Sequence, residues 1–502
     1  MKRVSVERPI DNASSVVAST YLYLNAEEKE AWNKTNTAEA VATSRLHYLV
    51  PASRGNIELC YNLVSSAVNR YPVPALLGWN GTAEFDAAGT HLAKLRVLKR
   101  YLHSLPPEED DDLVLFVDGF DVIQQLPPDV VIERYFDIAR KADAQLAKRL
   151  GMTVEEAHRR NLRQAIFWGP DNYCFPMDPR APRCWAVPAS TLPSRPFGPG
   201  SERRGTVFDY PRWLNSGTFM GPVGHVRRLI DVAMNEIAAT YDARYQFRES
   251  DQYYIANIFG RQEYWRSKLA ANGGYVGGGP EDRVIPEKSE TEDTELHAAL
   301  EYESALFQTK AGYESFFGYL QFNQSRRAAS MNMDMFGLGQ DFRPYLIEMP
   351  SNVWTALTKL YDSIPEAHPG TAASDWIRTV NLGVNFVTNH IYGILHCTGS
   401  KNTLAAEYSS MWWRPFARSL LKAAVKSSQA GDLISPGPID GRMWAAKTYL
   451  PDSKTLPDEY GGAMVPGVDG ASFISWRDLC GPYEDTLLGG EGNLANRGSR
   501  ER

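Results

Sequence analysis

The chain has 502 residues, 43% hydrophobic and 23% charged, which is ample material for a core and carries no signature of global disorder. Its 53 Lys+Arg against 60 Asp+Glu give a formal net charge of -7, which argues against a nucleic-acid protein that binds through a broadly basic surface. No apolar run approaches the ~18 residues of a membrane helix. Residues Met1 to Pro9 lack the apolar stretch of a signal peptide, so the chain as it stands is expected to be soluble.

The 5 cysteines form no CxxC pair and are too sparse for a disulfide-built scaffold, which disfavours a zinc ribbon. Bridges stay open, with Cys174 and Cys184 the nearest pair in sequence. Asn-X-Ser/Thr sequons at Asn12, Asn33, Asn80 and Asn323 shift the compartment only slightly. The secretory pathway applies if an upstream signal or anchor belongs to the protein, and the cytosol otherwise.

In chain order, residues 1–43 are polar and read as an N-terminal extension with one or two short helices. Leu46–Val50 is a buried strand, and residues 56–69 carry Leu59, Leu63, Val64 and Val68 at helical spacing. Pro74–Gly78 is a second short strand closed by Asn80-Gly81. Residues 90–104 form an amphipathic helix bearing Lys94 and Lys99, and Leu113–Val117 is a third buried strand. Ala165–Trp168 resembles a fourth. This alternation predicts an α/β domain with a mainly parallel sheet over residues 44–405.

Residues 177–206 read as a long surface loop and 271–295 as a flexible insertion. The glycines at 273–279 follow no strand and lack the Gly-Lys-Ser/Thr ending of a phosphate loop. Residues 406–502 read as a C-terminal extension, disordered over its last ~25 residues. The acid run Glu108 to Asp112 reads as a solvated loop, and Trp412-Trp413 as core or interface packing, with sugar stacking the alternative.

The strongest signal is Val114-Leu115-Phe116-Val117-Asp118-Gly119-Phe120-Asp121, a fully apolar strand that ends in two carboxylates. Ligands in open α/β sheets collect at carboxyl ends of strands. Two carboxylates there repel unless a cation lies between them, and hard oxygen ligands suit Mg²⁺ or Mn²⁺ beside phosphate. A simple Asx turn is the bland alternative. A haloacid-dehalogenase-like phosphatase, with Asp118 as nucleophile, is a third reading, but that family spaces its aspartates D-x-D on the first strand.

Further segments line up in order: Leu214-Asn215-Ser216-Gly217-Thr218, Glu249-Ser250-Asp251-Gln252-Tyr253 and His396-Cys397-Thr398-Gly399-Ser400-Lys401. Together with Asp118-Gly119-Phe120-Asp121 they resemble the glycosyltransferase domain of the procollagen lysyl hydroxylases and the related collagen glucosyl- and galactosyltransferases. These are GT-A enzymes, with a Rossmann-like nucleotide-diphospho-sugar fold, and more distantly similar to glycogenin. The resemblance covers about residues 45–405.

The resemblance implies a role for each matched position. Asp118, Asp121 and His396 would hold Mn²⁺ or Mg²⁺. Gly399 would admit the diphosphate and Lys401 would neutralise it. Asn215, Ser216 and Gly217 would line the sugar pocket and Asp251 would bind donor hydroxyls; Asp251 and Asn215 are the catalytic candidates, with Asp251 the base if transfer inverts. Ser53, Trp79, Lys94 and Phe120 would border the nucleotide. The chain departs from the family at three points. Phe120 stands where the family has Tyr, Lys401 falls one residue early, and Glu249-Ser250 replace most of an aspartate run.

The expected function is metal-dependent transfer of a hexose from a UDP-sugar to a hydroxyl of a glycan, peptide or small molecule. The main alternative is a GT-A-like binding module without turnover. No His-x-Asp with a distant His and Arg marks an oxygenase domain, so lysine hydroxylation is not expected. Donor sugar, acceptor, stereochemistry and oligomeric state are not set by the sequence.

Overall fold

The computed structural model describes residues 41–81, 91–192, 211–269, 280–289, 292–314, 316–322, 327–330, 345–452, 460–467 and 470–489. Its strands in chain order are β1 (Thr43–Pro51), β2 (Ala75–Leu77), β3 (Leu113–Val117), β4 (Val122–Gln124), β5 (Ile166–Asp171), β6 (Trp213–Pro222), β7 (Ala298–Leu300), β8 (Phe307–Thr309), β9 (Phe317–Gln321), β10 (Arg327–Ser330), β11 (Tyr345–Glu348), β12 (Asn381–Asn385), β13 (His390–Ile391), β14 (Ile394–His396), β15 (Met443–Ala446), β16 (Gly462–Gly467) and β17 (Gly470–Ser475). The longer helices are α1 (Ile57–Val68), α2 (Leu92–His103), α3 (Pro128–Leu150), α4 (Val223–Thr240), α5 (Asp251–Leu269), α6 (Ser351–Asp362) and α7 (Ala417–Ala430).

The central sheet runs β17-β16-β2-β1-β3-β6-β5-β7, with β15 beside the start of β1. Most of its pairings are parallel; β6 runs against both β3 and β5, and β17 against β16. This mixed α/β architecture with a mainly parallel sheet agrees with the sequence expectation.

Strand β3 is buried throughout because both sheet faces are covered. Its alternating side chains divide between two cores. Leu113, Leu115 and Val117 join the larger one with Leu46, Tyr48 and Val50, while Val114 and Phe116 join the other with Leu49. Helix α1 starts where Asn56 Oδ1 accepts from the Leu59 amide at 2.8 Å, an N-cap that satisfies an otherwise unpaired donor.

Two smaller features place the site. Beyond β3 the chain turns through Asp118–Asp121 into β4, which pairs antiparallel with β14 in the register His396↔Val122. Strand β14 also pairs with β8.

The segment after residue 405, expected to be an extension, contributes three strands to the central sheet instead. β15 pairs with β1, β16 with β2, and β17 with β16. A disulfide joins Cys60 on α1 to Cys480 just beyond β17. A second joins Cys174 to Cys184, the pair nearest in sequence.

The acid run is only partly solvated: Glu108 and Asp111 are exposed, but Glu109 and Asp112 are buried. Trp412 and Trp413 are buried, and their indole N–H groups donate to the carbonyls of Gln125 and Gln124. The stretch 177–192 includes a short helix, Pro182–Trp185. Residues 280–289 and 292–295 form no helix or strand. The helices expected before residue 41, the glycines at 273–279 and residues 490–502 lie outside the described residues, whereas the first half of the tail expected to be disordered is ordered, with a short helix at Glu484–Leu488 whose Leu487 and Leu488 are buried. Among the described residues, no helix is long and apolar enough to cross a membrane.

Candidate functional site

Asp118 leaves the end of β3 with its amide bonded to the Gly217 carbonyl at 2.7 Å, so the β3–β6 ladder holds the turn. The β4–β14 register sets His396 beside Asp121, and the Cys397 amide donates to the Asp121 carbonyl at 2.8 Å. Side-chain donor atoms of Asp118, Asp121 and His396 consequently lie within 4.8 Å of one another, although the third comes from residue 396 of the chain. His396 Nε2 is 3.4 Å from Asp121 Oδ2.

Gly217 on β6 closes the site from below. A Cβ there would stand 2.2 Å from His396 Cε1 and 2.8 Å from both His396 Nε2 and Asp118 Oδ2. Only glycine allows the backbone this near to all three atoms.

Two lysines attend the carboxylates. Lys94 on α2 reaches Asp118 Oδ1 at 2.9 Å and Asp251 Oδ2 at 2.9 Å. Lys401, half exposed, pairs with Asp121 Oδ2. Burial alone would push the Asp118 carboxyl up, but the Lys94 ammonium, with Lys401 adding to it, holds it below its ordinary value. Burial pulls His396 down against the opposing pull of Asp118 and Asp171, which keeps the imidazole neutral near pH 7.

The donor set fits a divalent ion: two carboxylates and one neutral imidazole whose Nε2 stands beside them.

A cleft of about 390 Å³ opens over these groups. Of the residues expected from the sequence, it brings together Lys94, Asp118, Asp121, Asn215, Ser216, Gly217, Asp251, His396, Gly399 and Lys401. Gly399 adopts φ 75°, a left-handed conformation natural to glycine, in the turn that carries Lys401. Thr398 Oγ1 secures that turn by accepting from the Lys310 and Ala311 amides at 3.1 and 2.8 Å.

Three expected residues do not line the cleft. Trp79 and Phe120 pack, partly buried, against the larger core. Ser53 accepts the Asn80 amide through its carbonyl at 3.0 Å, beside Trp79.

Against known proteins, the chain matches no protein-family model and no curated protein.

Sequence reasoning missed Asp171 and Gln252. Asp171 Oδ2 accepts from Asn215 Nδ2 at 3.0 Å and Gln252 Nε2 at 3.4 Å, and burial raises its carboxyl above the usual range. Asn215 Oδ1 in turn accepts from the Gly217 amide at 3.0 Å. Asp171 thereby braces the strand carrying Gly217. Its signal was present in the sequence: it too ends an apolar strand, Ile166–Pro170.

Proposed function

We propose that this protein is a metal-dependent glycosyltransferase of GT-A type that moves a hexose from a UDP-sugar to a hydroxyl acceptor on a glycan, peptide or small molecule. The observation that carries this reading is the convergence of Asp118, Asp121 and His396 on one point at the carboxyl end of a central strand. The sheet order, with β6 antiparallel in an otherwise mainly parallel array, agrees with it.

Asp118, Asp121 and His396 would hold Mn²⁺ or Mg²⁺, which when bound supplies Lewis-acid stabilisation of the departing diphosphate. Lys401, half exposed at the cleft rim, exchanges Asp121 for diphosphate oxygens and offsets their growing charge. Lys94, bridging Asp118 and Asp251, fixes both carboxylates. Asp251 and Asn215, which also line the cleft, orient the hydroxyls of the donor sugar. The glycosidic C–O bond to UDP breaks as a new C–O bond forms to the acceptor oxygen, whose proton is released. Two disulfides suit an oxidising compartment such as the lumen of the secretory pathway.

The test needs no acceptor. The purified chain is offered UDP-glucose and UDP-galactose with Mn²⁺, and UDP release is measured. Release should stop in EDTA and in Asp118→Ala and Asp121→Ala, both of which should keep the wild-type circular dichroism. Undiminished release in excess EDTA would overturn the reading.

A further inference from the structure

A second set of ligand-type side chains lies at the opposite end of β3. His47 on β1 is 0% exposed, and Glu109 and Asp112 precede β3 and are themselves buried. Donor atoms of the three lie within 4.8 Å of one another. His47 Nε2 stands 3.5 Å from Asp112 Oδ2 and 3.7 Å from Glu109 Oε2, and it has no hydrogen-bond partner. Tyr101 Oη, 2.9 Å from His47 Nδ1, fixes the ring.

From this geometry we infer a second divalent-cation site, of zinc type, formed by His47, Glu109 and Asp112. An unsatisfied polar atom in a dry site is costly. When Nδ1–H donates to Tyr101, the bare Nε2 lone pair faces two carboxylates, and a cation relieves that opposition. Two ligands about 2.1 Å from one ion at the tetrahedral angle lie roughly 3.4 Å apart, which the His47 spacings approach. The Tyr101 contact supplies the outer partner that a ligating imidazole ordinarily has.

Other charges already touch the set. Lys447 donates to both Glu109 oxygens at 2.6 Å, the Arg45 guanidinium is 3.5 Å from Glu109, and the Arg45 amide donates to Asp112 Oδ1 at 2.7 Å. A carboxylate oxygen has a second lone pair, so Glu109 can serve Lys447 and an ion together. Lys447 is nevertheless a competitor for Glu109.

The experiment separates this site from the cleft. The Asp118→Ala/His396→Ala double variant of the full chain is loaded with Zn²⁺, freed of excess by gel filtration and analysed for metal by mass spectrometry. We expect one zinc per chain. Adding Asp112→Asn, or separately His47→Gln, should reduce zinc to background and abolish the zinc-dependent rise in melting temperature. Adding Lys447→Met should retain zinc or bind it more tightly. Background zinc in the folded double variant would overturn the inference and leave Lys447 as the cation that closes this network. So would zinc unchanged by Asp112→Asn and His47→Gln.

Discussion

Gly217 is the position where a single methyl group tests the site most sharply. Its backbone lies against His396 and Asp118, and a Cβ 2.2 Å from His396 Cε1 has nowhere to go. Gly217→Ala should therefore displace two ligands at once. A misplacement of about 1 Å costs on the order of 10²-fold in rate, so UDP-sugar hydrolysis should fall about that far with the fold retained. Steady-state kinetics with a circular-dichroism control checks this, and an unimpaired Gly217→Ala variant would contradict the assignment. The sequence pattern pointed to Gly217 for a different reason, as part of the sugar pocket. Its close approach to His396 depends on a β6–β14 proximity that residue spacing does not reveal. Asp118 and Asp121 were legible because an apolar strand that ends in paired carboxylates is conspicuous. Trp79 and Phe120 were expected at the nucleotide, yet an aromatic residue next to a strand end also serves the core, and here both pack on it.

At the scale of elements, the apolar runs at 46–50 and 113–117 marked β1 and β3 well, since strands buried on both faces read as unbroken hydrophobic stretches. Helices α1 and α2 were legible from their periodicity. The contribution of β15, β16 and β17 was not. β15 takes its pairing from β1, some 400 residues earlier in sequence, and the β16–β17 hairpin joins the sheet through Met464 beside Ala75 of β2, while the partly exposed stretches of β16 and β17 carry no strong apolar run. The Cys60–Cys480 bridge, spanning 420 residues, fastens this late segment to α1. Removing a native disulfide costs about 2–5 kcal/mol. Cys480→Ser should lower stability by that order and loosen the C-terminal strands first. Denaturant titration measures the loss, and hydrogen exchange should show residues 462–475 exchanging before β3. A Cys480→Ser chain as stable as wild type would show that strand pairing alone retains the segment.

For the whole molecule, acid is expected to act through a pair of imidazoles, His297 buried and His225 half-buried. His225 and His297 face each other with Nδ1 atoms 2.8 Å apart. Burial lowers both to about 4, helped at His225 by His297 and opposed at His297 by the Asn161 carbonyl. Because the folded values lie below the unfolded value of about 6.5, the unfolded chain takes up protons first. Stability from this pair is complete above pH 6.5 and declines as pH falls toward 4. After allowance for solvent screening the decline amounts to about 1–2 kcal/mol for the pair. Melting temperatures between pH 7.5 and 5 should fall, and less steeply in His225→Gln. Identical slopes would remove the pair from the acid response.

The central claim is that residues 118, 121 and 396, so distant along the chain, share one metal ion in a UDP-sugar site. The most direct measurement is calorimetric titration of UDP into wild type and His396→Ala, each with Mn²⁺ and with EDTA, using His390→Ala as a control. His390 lies six residues earlier and pairs with Glu303 at 2.9 Å, away from the cleft. The account predicts that UDP binds wild type and His390→Ala only when Mn²⁺ is present, and that His396→Ala weakens UDP and Mn²⁺ binding together. Equal UDP affinity in Mn²⁺ and in EDTA, or full metal-dependent binding by His396→Ala, would contradict it.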